Sequence, residues 1–231
     1  MELYIYVHTA IFESDAAVAA NLYAALIADV VASSAQRSLR ARLGATLTAA
    51  SHAHVRCKWA ALPYSVTAGD EFQTITANLR ALPQLILDLR RLFQPLSLRI
   101  AVGIGHVSDR IQPPVNRLGG EAFYFARKAM GTIKSGGPFK FDTLTLFSSR
   151  NDSFDATINL IYGLNDTLIA GVTVKQWKAI TAFSRTPELA RAAHQLKLDA
   201  STVSRNLKRG YYWQLTATAR VAASLIEHSF G

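Results

Sequence analysis

Apolar positions along the first two thirds of the chain switch between strand and helix periodicity. Tyr23 to Val31 is a short, nearly unbroken apolar run with β-branched residues, as expected for a strand buried on both faces, and its one charge is Asp29 near the end. From Ala35 to Ser51, Leu39, Leu43 and Leu47 recur every fourth residue among arginines and predict an amphipathic helix. Tyr64 to Thr67 and Glu71 to Ile75 flank Gly69-Asp70, the pattern of two short strands joined by a tight turn. Leu82, Ile86, Leu89 and Phe93 mark a second helix from Leu79 to Phe93, closed by Pro95. Leu98 to Gly105 alternates as a strand. After a Pro113-Pro114 loop, Gly120 to Met130 is helical and Phe139 to Phe147 alternates as a last strand. The order β-α-β-β-α-β-α-β over residues 23–150 is that of a ferredoxin-like α/β sandwich.

The pattern then changes. Ser148 to Ser153 is polar and opens a helical connector over residues 151–173, after which residues 174–231 carry helical periodicity alone. Val174, Trp177 and Ile180 give the inner face of one helix. Thr186-Pro187 signals the start of another, with Leu189, Ala190, Ala193 and Leu196 as its buried face. Leu198-Asp199 makes a turn, with Leu198 filling the space between helices. Ser201 to Arg209 follows as a helix that turns Val203 and Leu207 inward and ends at Gly210. Two short helices joined by a tight turn, the second with a polar outer face, predict a helix-turn-helix. Ser201, Thr202, Ser204, Arg205 and Asn206 offer donors and acceptors for phosphates or base edges, and Lys208 and Arg209 suit the phosphate backbone. The plainer alternative is the solvated face of a small protein-binding bundle. Beyond Gly210, a last helix through Ile226 packs on this module or pairs two copies. The fold class expected overall is α+β, with an all-α module following the sandwich and residues 1–22 as an N-terminal extension.

A formal net charge of +9 favours a polyanionic partner such as DNA. The single cysteine, Cys57, excludes an internal disulfide or a zinc site built on cysteines and fits a reducing, cytoplasmic setting. No apolar run approaches the roughly 18 residues of a membrane span, and acidic residues interrupt the N-terminal apolar stretch where a signal peptide would need a basic start. His52, His54 and Cys57 lie close together with no second ligand cluster, so a surface or core role is expected of them.

Candidate chemistry gathers around three carboxylates. Asp29 sits at a strand end, and Asp70 and Glu71 at the tip and exit of the neighbouring hairpin. Singly, each reads as a strand-end or turn carboxylate. Brought together on adjacent strands, they suit a hard divalent cation, Mg²⁺ or Mn²⁺, whose remaining ligands are waters and the phosphates of a nucleoside triphosphate. Lys134 and Lys140 flank Ser135-Gly136-Gly137-Pro138, which reads as a plain turn.

The blocks IADVVASS (27–34), SVTAGDEFQ (65–73), LRIAVGIGHVS (98–108) and GGEAFYFARKAM (119–130), followed by LARAAHQLKLDASTVSRNLKR (189–209), resemble in order the SatD family. That family joins a domain similar to class III nucleotidyl cyclases and GGDEF proteins to a C-terminal helix-turn-helix, and the resemblance runs from Tyr23 to Arg209. It implies that Asp29 is the first metal-binding aspartate and Asp70 the second, with Glu71 the GGDEF-like alternative. Arg127 then takes the place of the catalytic arginine that contacts triphosphate, with Lys128 a weaker substitute. Phe123 stands where cyclases carry a ribose-orienting asparagine, and Ala28 where the family pattern has glycine. The function implied is a DNA-binding, transcriptional-regulator-type protein whose cyclase-like domain binds nucleotide and divalent metal. An active nucleotidyl cyclase or nucleotide polymerase making a cyclic nucleotide signal is the alternative. A homodimer is expected on either reading.

Overall fold

A computed structural model of the chain describes residues 22–31, 37–108, 110–139 and 143–231. The expected N-terminal extension, apart from Leu22, lies outside the described residues. Five strands, β1 (Tyr23–Val30), β2 (Ser65–Ala68), β3 (Glu71–Thr76), β4 (Leu98–Gly105) and β5 (Thr145–Ser148), alternate with helices α1 (Arg37–Arg56), α2 (Leu82–Leu92) and α3 (Glu121–Lys134). They form one sheet in the order β2-β3-β1-β4-β5. β1 is antiparallel to β3 and to β4, and only β4 and β5 run parallel. The return from β4 to a parallel β5 needs a crossover, and α3 supplies it.

β1 is buried along nearly its whole length because both of its faces are covered. Ala24, Leu26, Ala28 and Val30 point into one core with Leu85, Ile86 and Leu89 of α2, while Ala25 and Ile27 point into a second core with Ala122, Ala126 and Met130 of α3. Helices therefore lie on both sides of the sheet, as the doubly buried reading of β1 requires. The close fit of α3 depends on Gly103. A β-carbon there would lie 2.0 Å from the Ala122 carbonyl oxygen and 2.3 Å from the Ala126 nitrogen, so only hydrogen lets the helix settle on β4.

The connector is part of this core. α4 (Asp152–Ala170) starts at Asn151, whose side chain accepts a hydrogen bond from the Phe154 N–H at 3.0 Å. Its Phe154, Ile158 and Tyr162 pack against Phe147 of β5. A buried ion pair locks it in place. Arg90 of α2 donates to Asp166 of α4 at 3.1 Å, to the Thr145 hydroxyl at 2.6 Å and to the Leu98 carbonyl at 2.9 Å. Asp166 in turn accepts the Leu144 and Thr145 N–H groups at 2.9 and 2.6 Å. Four elements thus share one hydrogen-bonded set of polar groups, which is what makes a buried charge tolerable, with Arg90 Nε alone of the guanidinium nitrogens left without a partner among the described residues.

Beyond Gly171 come α5 (Val174–Arg185), α6 (Leu189–Leu196), α7 (Ala200–Arg209) and α8 (Tyr212–Phe230). A capping box starts α5: Thr173 and Gln176 exchange side-chain and backbone hydrogen bonds. Trp177, Ile180, Ala192, Ala193, Val203, Leu207 and Leu215 form a third core. α8 is shared between cores. Leu215 near its start belongs to the third, whereas Ala222 and Ile226 join α2 and α4 in the first.

Several local expectations change. α1 runs on to Arg56 where the sequence pattern stops at Ser51, and α3 runs a full turn past Met130 because Gly131 lowers helix propensity without breaking the helix. β5 is described over Thr145–Ser148; residues 140–142 of the strand expected from Phe139 lie outside the described residues, and the chain before it turns at Gly136 and Gly137, with φ of 107° and 71°. α6 is capped at Glu188, later than Thr186-Pro187 suggests, and Leu189, Ala190, Leu198 and Val174 are exposed, leaving Ala192 and Ala193 as the inner positions. Among the described residues no helix is long and apolar enough to cross a membrane.

Candidate functional site

Strand periodicity places the charges. In β1 the odd positions face α3, so Asp29 follows Ala25 and Ile27 onto that face. The antiparallel register pairs Ile27 with Gln73 and Ala28 with Phe72 on one side, which brings Asp29 next to Glu71. On the other side Asp29 pairs directly with Arg99. Glu71, Asp29 and Arg99 thus stand abreast on three neighbouring strands. Asp70 belongs to the two-residue turn between Ala68 and Glu71 and makes no hydrogen bond or ion pair among the described residues. Register thus puts Glu71, and not the turn residue Asp70, on the face of Asp29.

α3 lays two cations over these carboxylates. Arg127 meets Glu71 Oε1 at 2.5 Å and donates to Gln73 Oε1 at 3.3 Å. Lys134 Nζ lies 2.8 Å from Asp29 Oδ2 and 3.7 Å from Glu71 Oε2. Arg99 approaches Asp29 Oδ2 at 3.6 Å, and the Thr67 hydroxyl donates to Glu71 Oε1 at 2.8 Å. Burial works to raise the Glu71 pKa, but the hydrogen bonds from Arg127 and Thr67 and the charges of Arg127 and Lys134 bring it below the usual range. The hydrogen bond to Asp29 raises the pKa of Lys134 above that of a free lysine. Asp29 Oδ1 is buried with no hydrogen-bond partner.

Three cations thus surround two carboxylates, and a lysine ammonium occupies the point between them. A divalent ion needs that point and gains nothing from a nearby ammonium, so as they stand the residues do not fit Mg²⁺ or Mn²⁺. Among the described residues, no three His, Cys, Asp or Glu side chains come together as a metal site. Lys134 falls outside the helix expected to end at Met130, and so outside the site expected from the sequence. A signal for it exists all the same: Lys134 is seven residues from Arg127, two helical turns, and hence on the same face.

The remaining front-domain candidates go elsewhere. Lys128 is exposed and its charge acts on Asp155 of α4. Phe123 is 8% exposed in the core beneath α3, so that position offers no polar group to a ligand. His54 is a core residue. Its Nε2 lies 3.0 Å from Asp88 Oδ2 and its Nδ1 2.8 Å from the Tyr64 hydroxyl. The carboxylate only accepts, so Nε2 carries a proton.

In the helical module, α6 ends at Lys197 in the left-handed conformation (φ 55°), and α7 begins three residues later, at Ala200. Val203 and Leu207, one turn apart and both 0% exposed, anchor α7 on α5 and α6. That fixes which side looks outward. Ser201, Arg205, Lys208 and Arg209 are exposed, and Thr202, Ser204 and Asn206 are half-buried at the margin. Arg205 donates to the Thr202 hydroxyl at 3.2 Å and forms no ion pair among the described residues. Residues 174–231 hold nine Lys and Arg against three Asp and Glu, so this quarter of the chain carries six of its nine net positive charges.

The model of the SatD family (SatD) matches residues 23–226. No curated protein matches the sequence significantly. Among solved structures, a bacterial light-regulated adenylyl cyclase overlaps 55% of this chain and 76% of its own, at 12% identity and a TM-score of 0.39. The regulator of polyketide synthase expression from Bifidobacterium adolescentis overlaps 90% of this chain and 80% of its own, at 15% identity and a TM-score of 0.25.

Proposed function

The chain belongs to the SatD family, and from that premise we propose that it is a DNA-binding regulator whose cyclase-like front domain binds a nucleotide as a signal without turning it over. The observation that carries the DNA half is the outward face of α7: a short helix pinned by Val203 and Leu207, presenting Ser201, Arg205, Lys208 and Arg209 to solvent in a net-positive module. On this reading α6-turn-α7 is a helix-turn-helix with α7 as the helix that enters the major groove. Arg205, with two forked donors and no carboxylate partner among the described residues, reads base edges. Lys208 and Arg209 neutralise phosphates. A homodimer matches the two-fold symmetry of most operators.

The signal half rests on the charge cluster. Two-metal chemistry uses carboxylates left free for cations. Here Lys134 and Arg127 occupy them, and the missing asparagine at Phe123 removes a ribose contact. Lys134 supplies the positive charge that a cyclase takes from its metal, which favours holding phosphates over transferring them.

Fluorescence anisotropy with genomic duplex fragments tests the DNA half. Binding is expected to weaken steeply between about 50 and 200 mM salt, and Lys208→Ala with Arg209→Ala to lower the log–log salt slope by about 2, near 0.9 per lost phosphate contact. Arg205→Ala is expected to cost about 1–3 kcal/mol and to relax the sequence preference. Retention that is insensitive to salt and to all three changes refutes the assignment of α7. For the signal half, incubation with each nucleoside triphosphate and Mg²⁺ or Mn²⁺ is expected to release no pyrophosphate; steady release would establish the cyclase or polymerase reading in its place.

A further inference from the structure

A cleft of about 650 Å³ opens where the front domain meets the helical module. That volume lies within the range of small-molecule sites, roughly 300–1,000 Å³. One wall is the far side of the charge cluster: Arg99 from β4 and Lys134 from the end of α3. The opposite wall comes from the junction of α4 and α5, with Ile169, Val172 and Thr173, and with Trp177 behind them. No carboxylate lines the cleft among the described residues. Arg99 and Lys134 share the buried Asp29 Oδ2 as their near anion, while Glu71 is taken chiefly by Arg127. Two cations on one carboxylate leave an excess positive charge facing the cavity, and their side chains keep 30% and 46% exposure with which to use it.

We propose that this cleft is the site of the signal: an organic phosphate of nucleotide size, its phosphate held by Arg99 and Lys134 and its flat or apolar body laid against Val172 and Val174, with the buried Ile169 and Trp177 directly behind them. The location deepens, and rests on, the nucleotide half of the function proposed above. The division of the lining explains the choice of ligand. A bare inorganic anion satisfies only the cationic wall, and an apolar molecule only the other; an organic phosphate uses both. Its phosphate competes with Asp29 for Lys134, whose long stem at the exposed end of α3 lets the ammonium turn from one to the other. The site also has a route to α7. Trp177 and Ile180 of α5 stand in the same core as Val203 and Leu207, so a ligand clamped between β4 and α5 fixes the seat of the outward helix relative to the sheet.

The full chain is titrated with AMP, ATP, ribose 5-phosphate and inorganic pyrophosphate in EDTA by isothermal calorimetry, with Trp177 emission followed in a Trp59→Phe, Trp213→Phe background. At least one organic phosphate is expected to bind one per chain without metal and to shift Trp177 emission. Arg99→Gln and Lys134→Gln should each weaken it at least tenfold, Arg99→Lys should restore part of the loss, and Asp29→Asn should leave binding equal or tighter. Circular dichroism of each variant separates lost binding from lost fold. Organic phosphate binding that ignores Arg99→Gln and Lys134→Gln but falls with Arg127→Gln overturns the cleft and keeps the nucleotide reading. Pyrophosphate binding as tightly as every organic phosphate overturns the apolar half of the site. No heat from any of the four probes at millimolar concentration overturns both.

Discussion

Lys134 is the residue on which the chemistry of the front domain turns. Its ammonium stands on the same carboxylates that a divalent ion would need. Removing it has a definite expected outcome. Lys134→Ala should gain Mn²⁺ binding, read by electron paramagnetic resonance of the free ion, to a level at least tenfold above the unaltered protein, and Asp29→Asn in the same background should abolish the gain. Equal Mn²⁺ affinity with and without Lys134 would show that the lysine does not guard the site. Asp88 gives a second test, in pH. Burial works to raise its pKa, but the hydrogen bond from His54 and the charge of Arg91 hold it below the usual carboxylate range. The unfolded chain, with a carboxyl near pH 3.9, then binds the proton more readily. Asp88 therefore contributes stability that is fully present above about pH 4 and is lost as pH falls through the lower folded value. Thermal melts from about pH 6 to pH 3 should show a falling Tm, with a shallower acid slope in Asp88→Asn, which starts lower at pH 6.

Between elements, the contact that sets the site is α3 on β4. Arg127 and Lys134 reach the carboxylates only because the helix lies close enough for its backbone to touch Gly103. A methyl group there has nowhere to go, since both neighbours are main-chain atoms. Gly103→Ala should destabilise by the upper end of the roughly 1–3 kcal/mol range for overpacking, seen as a lower urea midpoint with an unchanged m-value. It should also weaken any ligand that depends on Lys134, by lifting the helix from the sheet. Register did similar work on the other side of the cluster. The Gly69-Asp70 turn, with Gly69 at φ 61°, was legible as a hairpin from composition alone, and a two-residue loop then commits Glu71, not Asp70, to the α3 face.

Across the whole molecule, α8 ties the two parts together. Its first turn supplies Leu215 to the helical module and its later turns supply Ala222 and Ile226 to the core under the sheet. Arg80 adds an exposed pair to Glu227 at 2.8 Å, of little energetic weight. Ending the chain at Gly210 should therefore lower the stability of the sheet domain, not only that of the module. Withdrawing the Ala222 and Ile226 side chains from their core costs on the order of 2–5 kcal/mol. Hydrogen exchange of α2 amides would report it: protection unchanged by the truncation would mean that the module is a freely hinged appendage. The same shared helix and the cleft between β4 and α5 both join the sheet to the helical module.

The element order from β1 to β5, the hairpin and the inward positions Val203 and Leu207 were all determined by local pattern, because strand and helix periodicity depend on neighbours a few residues away. What only the tertiary structure decided were matters of distance in the chain. Glu71 was set beside Asp29 by pairing with a strand far earlier in the sequence, and Lys134 was brought to Asp29 by a helix that crosses from one strand to the next. Leu189 and Leu198, apolar by type, are left exposed because three short helices have room inside for only some of their apolar side chains. The cleft, too, exists only where β4, α3 and the start of α5 meet, and no single segment of the sequence holds enough of it to announce a cavity.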